Sequence, residues 1–173
     1  KKNGSAIVKF IDNSSGIRTF FVENNEINYK VGDTLKNVYT NETSKIQKIF
    51  HDNKHVQEQK SFKNTALQLK EQISVSKGDS LILENSNALI SDAFKAKIIW
   101  TGTEKLLKSK RYLFKFHSKS EYGFVSKLSS KTVSKNSISI LNIELEDKIH
   151  IDTLFSNYYL SQFVIIDPDN SKT

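Results

Sequence analysis

Two histidines four residues apart are the first side chains in the sequence whose spacing suits metal binding. His51 and His55, with Asp52 between them, would share one face of a helix and offer two imidazoles to one ion. The polar stretch from 52 to 55 instead indicates a turn, because the preceding residues alternate apolar and polar side chains as a strand does. We therefore predict an exposed hairpin here and no metal ligands.

The other titratable side chains form no catalytic set. His117 and His150 stand alone, and we predict a surface imidazole for each. Serine, histidine and aspartate are plentiful, but the GxSxG pattern that presents a nucleophilic serine is absent. Glu144, Glu146 and Asp147 lie beside a predicted strand and are expected to form a solvated face or a domain contact. We predict no catalytic, no cofactor-binding and no metal-binding residue in this chain.

The glycines exclude the common nucleotide-binding loops. A P-loop requires GxxxxGK[ST], because backbone N–H groups and one lysine must surround the phosphates. The 6 glycines of this sequence are at positions 4, 16, 32, 78, 102 and 123, too far apart for that loop or for a dinucleotide-binding loop. Nucleotide binding by the known glycine-rich motifs is therefore not expected.

The segment from Lys108 to Phe116 is the best candidate for contact with nucleic acid. It combines lysines and an arginine with three aromatic rings, and cations with stacking rings bind single strands. The rings of Tyr112, Phe114 and Phe116, however, alternate with other residues and so share one face of a strand. We therefore predict that they pack into a protein core.

Composition favours a β-rich protein. Hydrophobic residues make up 37% of the 173 residues, and 11 Phe and 6 Tyr are the kind of side chain that suits a pleated, half-buried surface. The net charge of +7 is modest and comes mostly from lysine, which gives weak support for nucleic acid as a partner. The absence of cysteine excludes disulfides and thiolate chemistry and favours the cytosol. No apolar run approaches the roughly 18 residues of a membrane span.

Short predicted strands separated by turn residues recur along the whole chain, as in β-barrels and sandwiches. The polar segment from Glu84 to Asp92 interrupts the series. We therefore predict an all-β protein of two small β-barrels, with domains at residues 1–88 and 89–173. Because Met is absent and the turn at Asp167 to Thr173 has no return strand, we expect residues before Lys1 and a truncated second barrel.

Two glycine–aspartate turns resemble those of the second domain of translation-type GTPases. Val31 to Leu35 reads VGDTL and Val75 to Leu81 reads VSKGDSL, similar to the family's "VGD" and "I.RGD.L" turns. Between them, Lys45 to Ile49 is similar to the family's "kvK.I" strand. The physical chemistry agrees, since glycine permits unusual turn angles and aspartate can accept hydrogen bonds from adjacent backbone.

Three further motifs resemble the large, GTP-binding subunit of bacterial sulfate adenylyltransferase. Phe94 to Trp100 is similar to its "F.A.lvW" strand, Leu106 to Tyr112 to its "LLPGKKY", and Phe163 to Pro168 to its "GsFIlIDp". The resemblance extends from about Ile7 to Asn170. The chain departs from the family where Lys108-Ser109 replaces Pro-Gly, Leu160-Ser161 replaces Thr-Gly and Thr19 replaces a glycine.

The resemblance implies two barrels, similar to domains II and III of translation factors, that follow a GTPase domain. It also implies a cytoplasmic complex in which GTP hydrolysis is coupled to the synthesis of adenylyl sulfate from ATP and sulfate. GTP, ATP and Mg would bind elsewhere in that complex, so no catalytic residue carries over. The implied partners are the GTPase domain and the catalytic subunit; neither a membrane nor a nucleic acid is expected.

The segments Asn24 to Tyr29 and Asp52 to Val56 are predicted to be the docking loops, because polar hairpin tips are not needed by any core. The alternative is a translation-factor-like pair of barrels that binds RNA, suggested by the net charge and by the basic aromatic strand.

Overall fold

The computed structural model describes residues 4–60, 64–128, 132–153 and 157–170, and it is an all-β structure. A single 3-10 turn at Pro168–Asn170 is the one helical element in this part of the chain. Accordingly, the described residues contain no helix long and apolar enough to cross a membrane. The all-β prediction is confirmed.

The chain divides into two compact units. The first comprises Lys1–Leu89 and His150–Gln162, and the second comprises Ile90–Ile149 and Phe163–Thr173. The first unit therefore includes a segment from late in the sequence. The single boundary at residue 88, with domains 1–88 and 89–173, stays a prediction.

The first unit is a closed six-stranded barrel. Its strands are β1 (Ser5–Asp12), β2 (Thr19–Asn25), β3 (Tyr29–Lys30), β4 (Thr34–Asn37), β5 (Thr43–His51), β6 (Lys54–Val56), β7 (Glu58–Gln59), β8 (Thr65–Leu69) and β9 (Ser80–Leu83). The sheet runs in the order β4-β9-β1-β2-β8-β5-β6, and the additional pairing of β4 with β5 closes the ring. The short strands β3 and β7 pair separately.

The core of this barrel follows from the alternation of side chains along each strand. Inward-facing residues of all six barrel strands form one buried cluster, which includes Val8, Phe20, Leu35, Ile46, Leu67 and Leu81. A register shift between Val8 and Phe10 marks a bulge in β1. After that bulge the ring of Phe10 lies outside, where it is 59% exposed.

The second unit is an open sheet, a half-barrel. Its strands are β10 (Leu89–Trp100), β11 (Arg111–Phe116), β12 (Ser120–Leu128), β13 (Ser137–Ile151) and β14 (Phe163–Ile166). Their order in the sheet is β10-β13-β12-β11-β14, so β10 and β14 are the two terminal strands. The buried face carries Trp100, Tyr112, Phe114, Val125 and Leu141.

Candidate functional site

The two glycine–aspartate turns are built in the same way. Gly32 and Gly78 have φ angles of 93° and 89°, which side chains other than glycine rarely adopt. In each turn the aspartate that follows accepts a hydrogen bond from the backbone N–H three residues earlier. These bonds join Lys30 N to Asp33 Oδ2 at 2.9 Å and Ser76 N to Asp79 Oδ2 at 2.9 Å. The motif residues therefore shape the backbone of the two turns.

Asp79 also anchors a buried polar network. The side chain of Asn37 donates to Asp79 Oδ2 at 2.8 Å and to the carbonyl of Ser74 at 2.8 Å. Asn37 is fully buried and Asp79 is 4% exposed. Buried polar groups require such partners, so this cluster ties β4 to the second glycine–aspartate turn.

The hairpin predicted at His51 and His55 is confirmed. His51 pairs with Lys54 across a two-residue turn, in which Asp52 and Asn53 have φ angles of 49° and 61°. His51 Nε2 lies 3.3 Å from Asp52 Oδ2, while His55 is exposed on the neighbouring strand. In the described ranges no three His, Cys, Asp or Glu side chains are grouped to hold a metal.

The prediction that His150 is a surface imidazole is wrong. His150 is 2% exposed, because β13 continues through Ile151 and its last residues belong to the first unit. Its backbone N–H donates to Tyr39 Oη at 3.0 Å, a contact within that unit. Burial lowers the pKa of the imidazole to about 4. His117, by contrast, is half-buried in the turn after β11.

The acidic cluster on β13 forms an exposed face, as predicted. Glu146 accepts two hydrogen bonds from the guanidinium of Arg111, from Nε at 2.6 Å and from Nη2 at 2.8 Å. The same guanidinium lies 3.7 Å from the centre of the Tyr122 ring. Hydrogen bonding to Arg111 lowers the pKa of Glu146. Glu144 and Asp147 are also exposed.

The aromatic residues of β11 face the core, which confirms the prediction from alternation. Tyr112 and Phe114 are fully buried and Phe116 is 8% exposed. The Tyr112 hydroxyl accepts the backbone N–H of Leu107 at 2.9 Å. These three rings therefore offer no stacking surface to a nucleic acid.

The segment Asn24 to Tyr29, expected to be an exposed docking loop, is held mainly in the interior. Asn24 and Tyr29 are 2% and 3% exposed. Tyr29 Oη donates to Asn24 Oδ1 at 2.8 Å and lies 2.6 Å from Thr65 Oγ1, while Asn24 Nδ2 donates to Thr65 Oγ1 at 3.0 Å. Burial raises the pKa of Tyr29 to about 12. The local run of polar residues could not reveal this network, because Thr65 is 41 residues from Asn24 in the sequence and approaches it only in the folded barrel.

Sequence reasoning also missed an ion pair that joins two motifs of the second unit. Lys110 Nζ lies 2.7 Å from Asp167 Oδ2 and 3.0 Å from Asp169 Oδ2. Hydrogen bonds to Asp167 and then Asp169 raise the pKa of Lys110 to about 12. Lys110 belongs to the segment similar to "LLPGKKY" and Asp167 to the one similar to "GsFIlIDp". The presence of both motifs in one chain was therefore the available sequence signal for this ion pair.

A shallow cavity of about 540 Å³ adjoins this ion pair and is lined by Thr103, Glu104, Lys105, Leu107, Lys110 and Asp167. Its charges are mixed, and Lys110 is already paired with two carboxylates. Ser109, beside it, has a φ of 63° and stands where the family motif has glycine. Ser109 therefore holds a backbone conformation that glycine adopts without strain.

An exposed aromatic pair lies on the outside of the first unit. Phe10 and Phe21 are partners in the β1–β2 register, and they are 59% and 42% exposed. Their ring centres are 5.7 Å apart. Ile17, in the same β1–β2 hairpin, is 49% exposed. We refer to Phe10 and Phe21 as the outer aromatic patch.

Among solved structures, the fold of the chain is similar to that of the β-barrel part of a translation-factor GTPase. The crystal structure of Sup35 complexed with GDP superposes with a TM-score of 0.84 at 13% identity, over 95% of this chain and 44% of that protein. The predicted class of fold is confirmed. No protein-family model matches the sequence.

Curated proteins of one kind are similar to this chain in sequence. Sulfate adenylyltransferase subunit 1 of Teredinibacter turnerae is 27% identical over 150 residues, which cover 80% of this chain and 32% of the relative. The subunit 1 proteins of Francisella tularensis and Aliarcobacter butzleri are each 23% identical, over 80% and 83% of this chain. The resemblance predicted from the motifs is confirmed, since the chain is similar to this subunit at 23 to 27% identity. It spans about a third of the length of these relatives.

Proposed function

We propose that this chain is the non-catalytic barrel module of a GTP-dependent regulatory subunit of sulfate adenylyltransferase. In this proposal it docks a GTPase domain and the catalytic subunit, in a cytoplasmic complex that makes adenylyl sulfate from ATP and sulfate. GTP, ATP and Mg bind in the other parts of that complex. Similarity to subunit 1 over 80% of the chain supports the assignment.

The observation that carries a docking role is the outer aromatic patch. Two phenylalanine rings that are 59% and 42% exposed remain in water unless a partner covers them. Fully burying such a side chain contributes about 1.5 to 3 kcal/mol, so covering the exposed part of both rings would stabilise a complex appreciably. Exposed apolar patches of this kind are typical of interaction sites.

Light scattering of the chain mixed with the GTPase domain and the catalytic subunit tests this function. We expect a complex with the unchanged chain and weaker association for the double substitution Phe10→Ser and Phe21→Ser. The matched control is Ile138→Ser, which changes a side chain that is 62% exposed in the second unit. Absence of any association, with all three components folded, would count against the proposal.

RNA binding is the competing function, supported by the net charge of +7. The burial of Tyr112 and Phe114 removes the aromatic strand as its site. Filter binding at rising salt separates the two functions, because phosphate contacts weaken steeply with ionic strength. Salt-sensitive retention of RNA would favour the competing function.

A further inference from the structure

Two loops of the second unit lie side by side. Leu106, in the loop between β10 and β11, forms an isolated antiparallel bridge with Val133, in the loop between β12 and β13. Leu106 N donates to the Val133 carbonyl at 3.1 Å, and each of the two side chains is 1% exposed. The bridge therefore brings together, at the surface, side chains that are far apart in the sequence.

Each loop carries an exposed lysine next to this bridge. Lys105 directly precedes Leu106, and Lys135 follows Val133 by two residues. In an antiparallel pair, the residues before one partner lie beside those after the other. Lys105 and Lys135 therefore lie at the same end of the bridge.

A second pair of exposed lysines lies toward the other end of the bridge. Ser109 N donates to the carbonyl of Val125 at 3.1 Å, which holds the first loop against β12. Lys108 precedes Ser109, and Lys127 follows Val125 by two residues. We refer to the four lysines as the basic loop surface, which consists of Lys105, Lys108, Lys127 and Lys135.

The basic loop surface has an excess of positive charge. Among the described residues, none of its four ammonium groups forms an ion pair. Glu104 is the one carboxylate in the two loops. Lys110, in the first loop, differs from the four lysines because it already binds the carboxylates of Asp167 and Asp169. An unpaired cationic surface of this kind attracts an anionic partner and orients it before contact.

The other side chains of the first loop favour an acidic protein segment over a nucleic acid. Leu107 is 54% exposed and lines the cavity of about 540 Å³, so an apolar side chain of a partner has both a contact and space there. Two rings contact this loop, since Trp100 Nε1 donates to the Glu104 carbonyl and the Tyr112 hydroxyl accepts Leu107 N. Both rings are buried and offer no stacking platform to bases.

We propose that the basic loop surface binds an acidic segment of a partner protein, in which carboxylates flank one apolar side chain. The carboxylates face the four lysines, and the apolar side chain packs on Leu107. The surface is built from residues 105 to 135, within the second unit. The proposal stands apart from the subunit-docking function, which rests on the outer aromatic patch of the first unit.

Fluorescence anisotropy with labelled peptides of about nine residues, long enough to extend across both loops, tests the proposal. The probe has a central leucine with glutamates on both sides, and we expect it to bind more weakly as salt is added. A matching peptide with a central serine should bind about five-fold more weakly, and one with lysines in place of the glutamates should not bind. Absence of binding by the leucine–glutamate peptide, or equal binding by the lysine peptide, would overturn the proposal.

An oligouridine of the same length distinguishes nucleic acid from protein as the occupant. We expect it to bind more weakly than the leucine–glutamate peptide, because it has no apolar side chain for Leu107 and finds no exposed ring in the first loop. Tighter binding of the oligouridine would contradict a protein segment as the partner.

Charge reversal in the chain locates the site. The double substitution Lys105→Glu and Lys135→Glu should weaken the leucine–glutamate peptide at least about ten-fold, because two attractions become repulsions. The matched control, Lys48→Glu with Lys54→Glu, makes the same change of net charge at two exposed lysines of the first unit and should leave binding within about two-fold. Equal weakening by both pairs would mean that net charge alone determines binding, which contradicts a site.

The substitution Leu107→Ser tests the apolar contact separately. It should weaken the leucine–glutamate peptide about five-fold and leave the serine peptide unchanged, because only the first peptide has an apolar side chain to pack there. The exposed position of Leu107 makes the variant suitable for folding, which circular dichroism checks. Equal weakening of both peptides would contradict the assigned contact and with it the proposed mode of binding.

Discussion

Lys110 and Asp167 are 57 residues apart in the sequence, and Lys110 Nζ donates to Asp167 Oδ2 at 2.7 Å. The ion pair connects the turn before β11 to the residue that follows β14. The side chain of Asp167 is 12% exposed and that of Lys110 is 24% exposed, so solvent screens the pair less than most surface ion pairs. It holds the terminal strand of the half-barrel beside its neighbour.

Replacing Asp167 with asparagine should therefore lower the melting temperature of the chain by a few degrees, about 2 to 6 °C. The neutral amide cannot balance the charge of Lys110, although Asp169 retains part of the interaction. The matched control is Glu58→Gln, because the pair of Lys60 with Glu58 is 73% and 56% exposed and its loss should change little. Differential scanning calorimetry measures both, and equal shifts would contradict a special role for Lys110 and Asp167.

Replacing Ser109 with glycine should stabilise the chain. Ser109 has a φ of 63°, which costs a residue with a Cβ about 1 to 2 kcal/mol, and glycine gives back part of this as entropy of the unfolded chain. The expected net gain is about 0.5 to 1 kcal/mol in the free energy of unfolding, measured with urea. Asn136, with a φ of 61°, is the control, since asparagine tolerates this region and Asn136→Gly should gain less.

The buried His150 should make stability depend on pH. Its pKa is about 4 in the folded chain, compared with 6.5 for a solvated imidazole. As pH falls from 6.5 toward 4, the unfolded chain takes up a proton that the folded chain does not, so the free energy of unfolding decreases. The loss is on the order of 3 kcal/mol, and above pH 6.5 the contribution is constant.

Urea titrations at several pH values check this dependence. His150→Phe should flatten the decrease between pH 6.5 and 4, because the titrating group is gone. His55 is exposed, so the control substitution His55→Gln should leave the decrease in the free energy of unfolding between pH 6.5 and 4 unchanged. An unchanged pH profile for His150→Phe would show that another group causes the loss.

Replacing Tyr29 with phenylalanine should destabilise the first unit by about 1 to 2 kcal/mol, measured by chemical unfolding. The change removes the hydroxyl that donates to Asn24 and contacts Thr65, in a site only 3% exposed. Tyr158→Phe is the control, because that ring is 59% exposed and its substitution should fall within about 0.5 kcal/mol. A neutral Tyr29→Phe would mean that the hydrogen bonds of this hydroxyl make no net contribution to stability.

Much of this protein was determined by sequence features that act locally. Alternation alone placed Tyr112, Phe114 and Phe116 on the buried face of β11, because successive side chains of a strand point to opposite faces. Polar turn residues placed the hairpin between His51 and Lys54. The motifs around Gly32 and Gly78 indicated the barrel fold, since their turns require those residue types, and the motifs that begin at Phe94, Leu106 and Phe163 indicated the branch of relatives.

Tertiary structure decided what depends on distant segments. His150 is buried because the end of β13 belongs to the first unit, and Asn24 is buried because Thr65 lies beside it across the β2–β8 pairing. The order of the second sheet, with β10 and β14 as its terminal strands among the described residues, also depends on which distant segments pair. A two-residue period sets the face of a side chain, whereas its neighbours across a barrel depend on the order of strands, which local pattern does not encode.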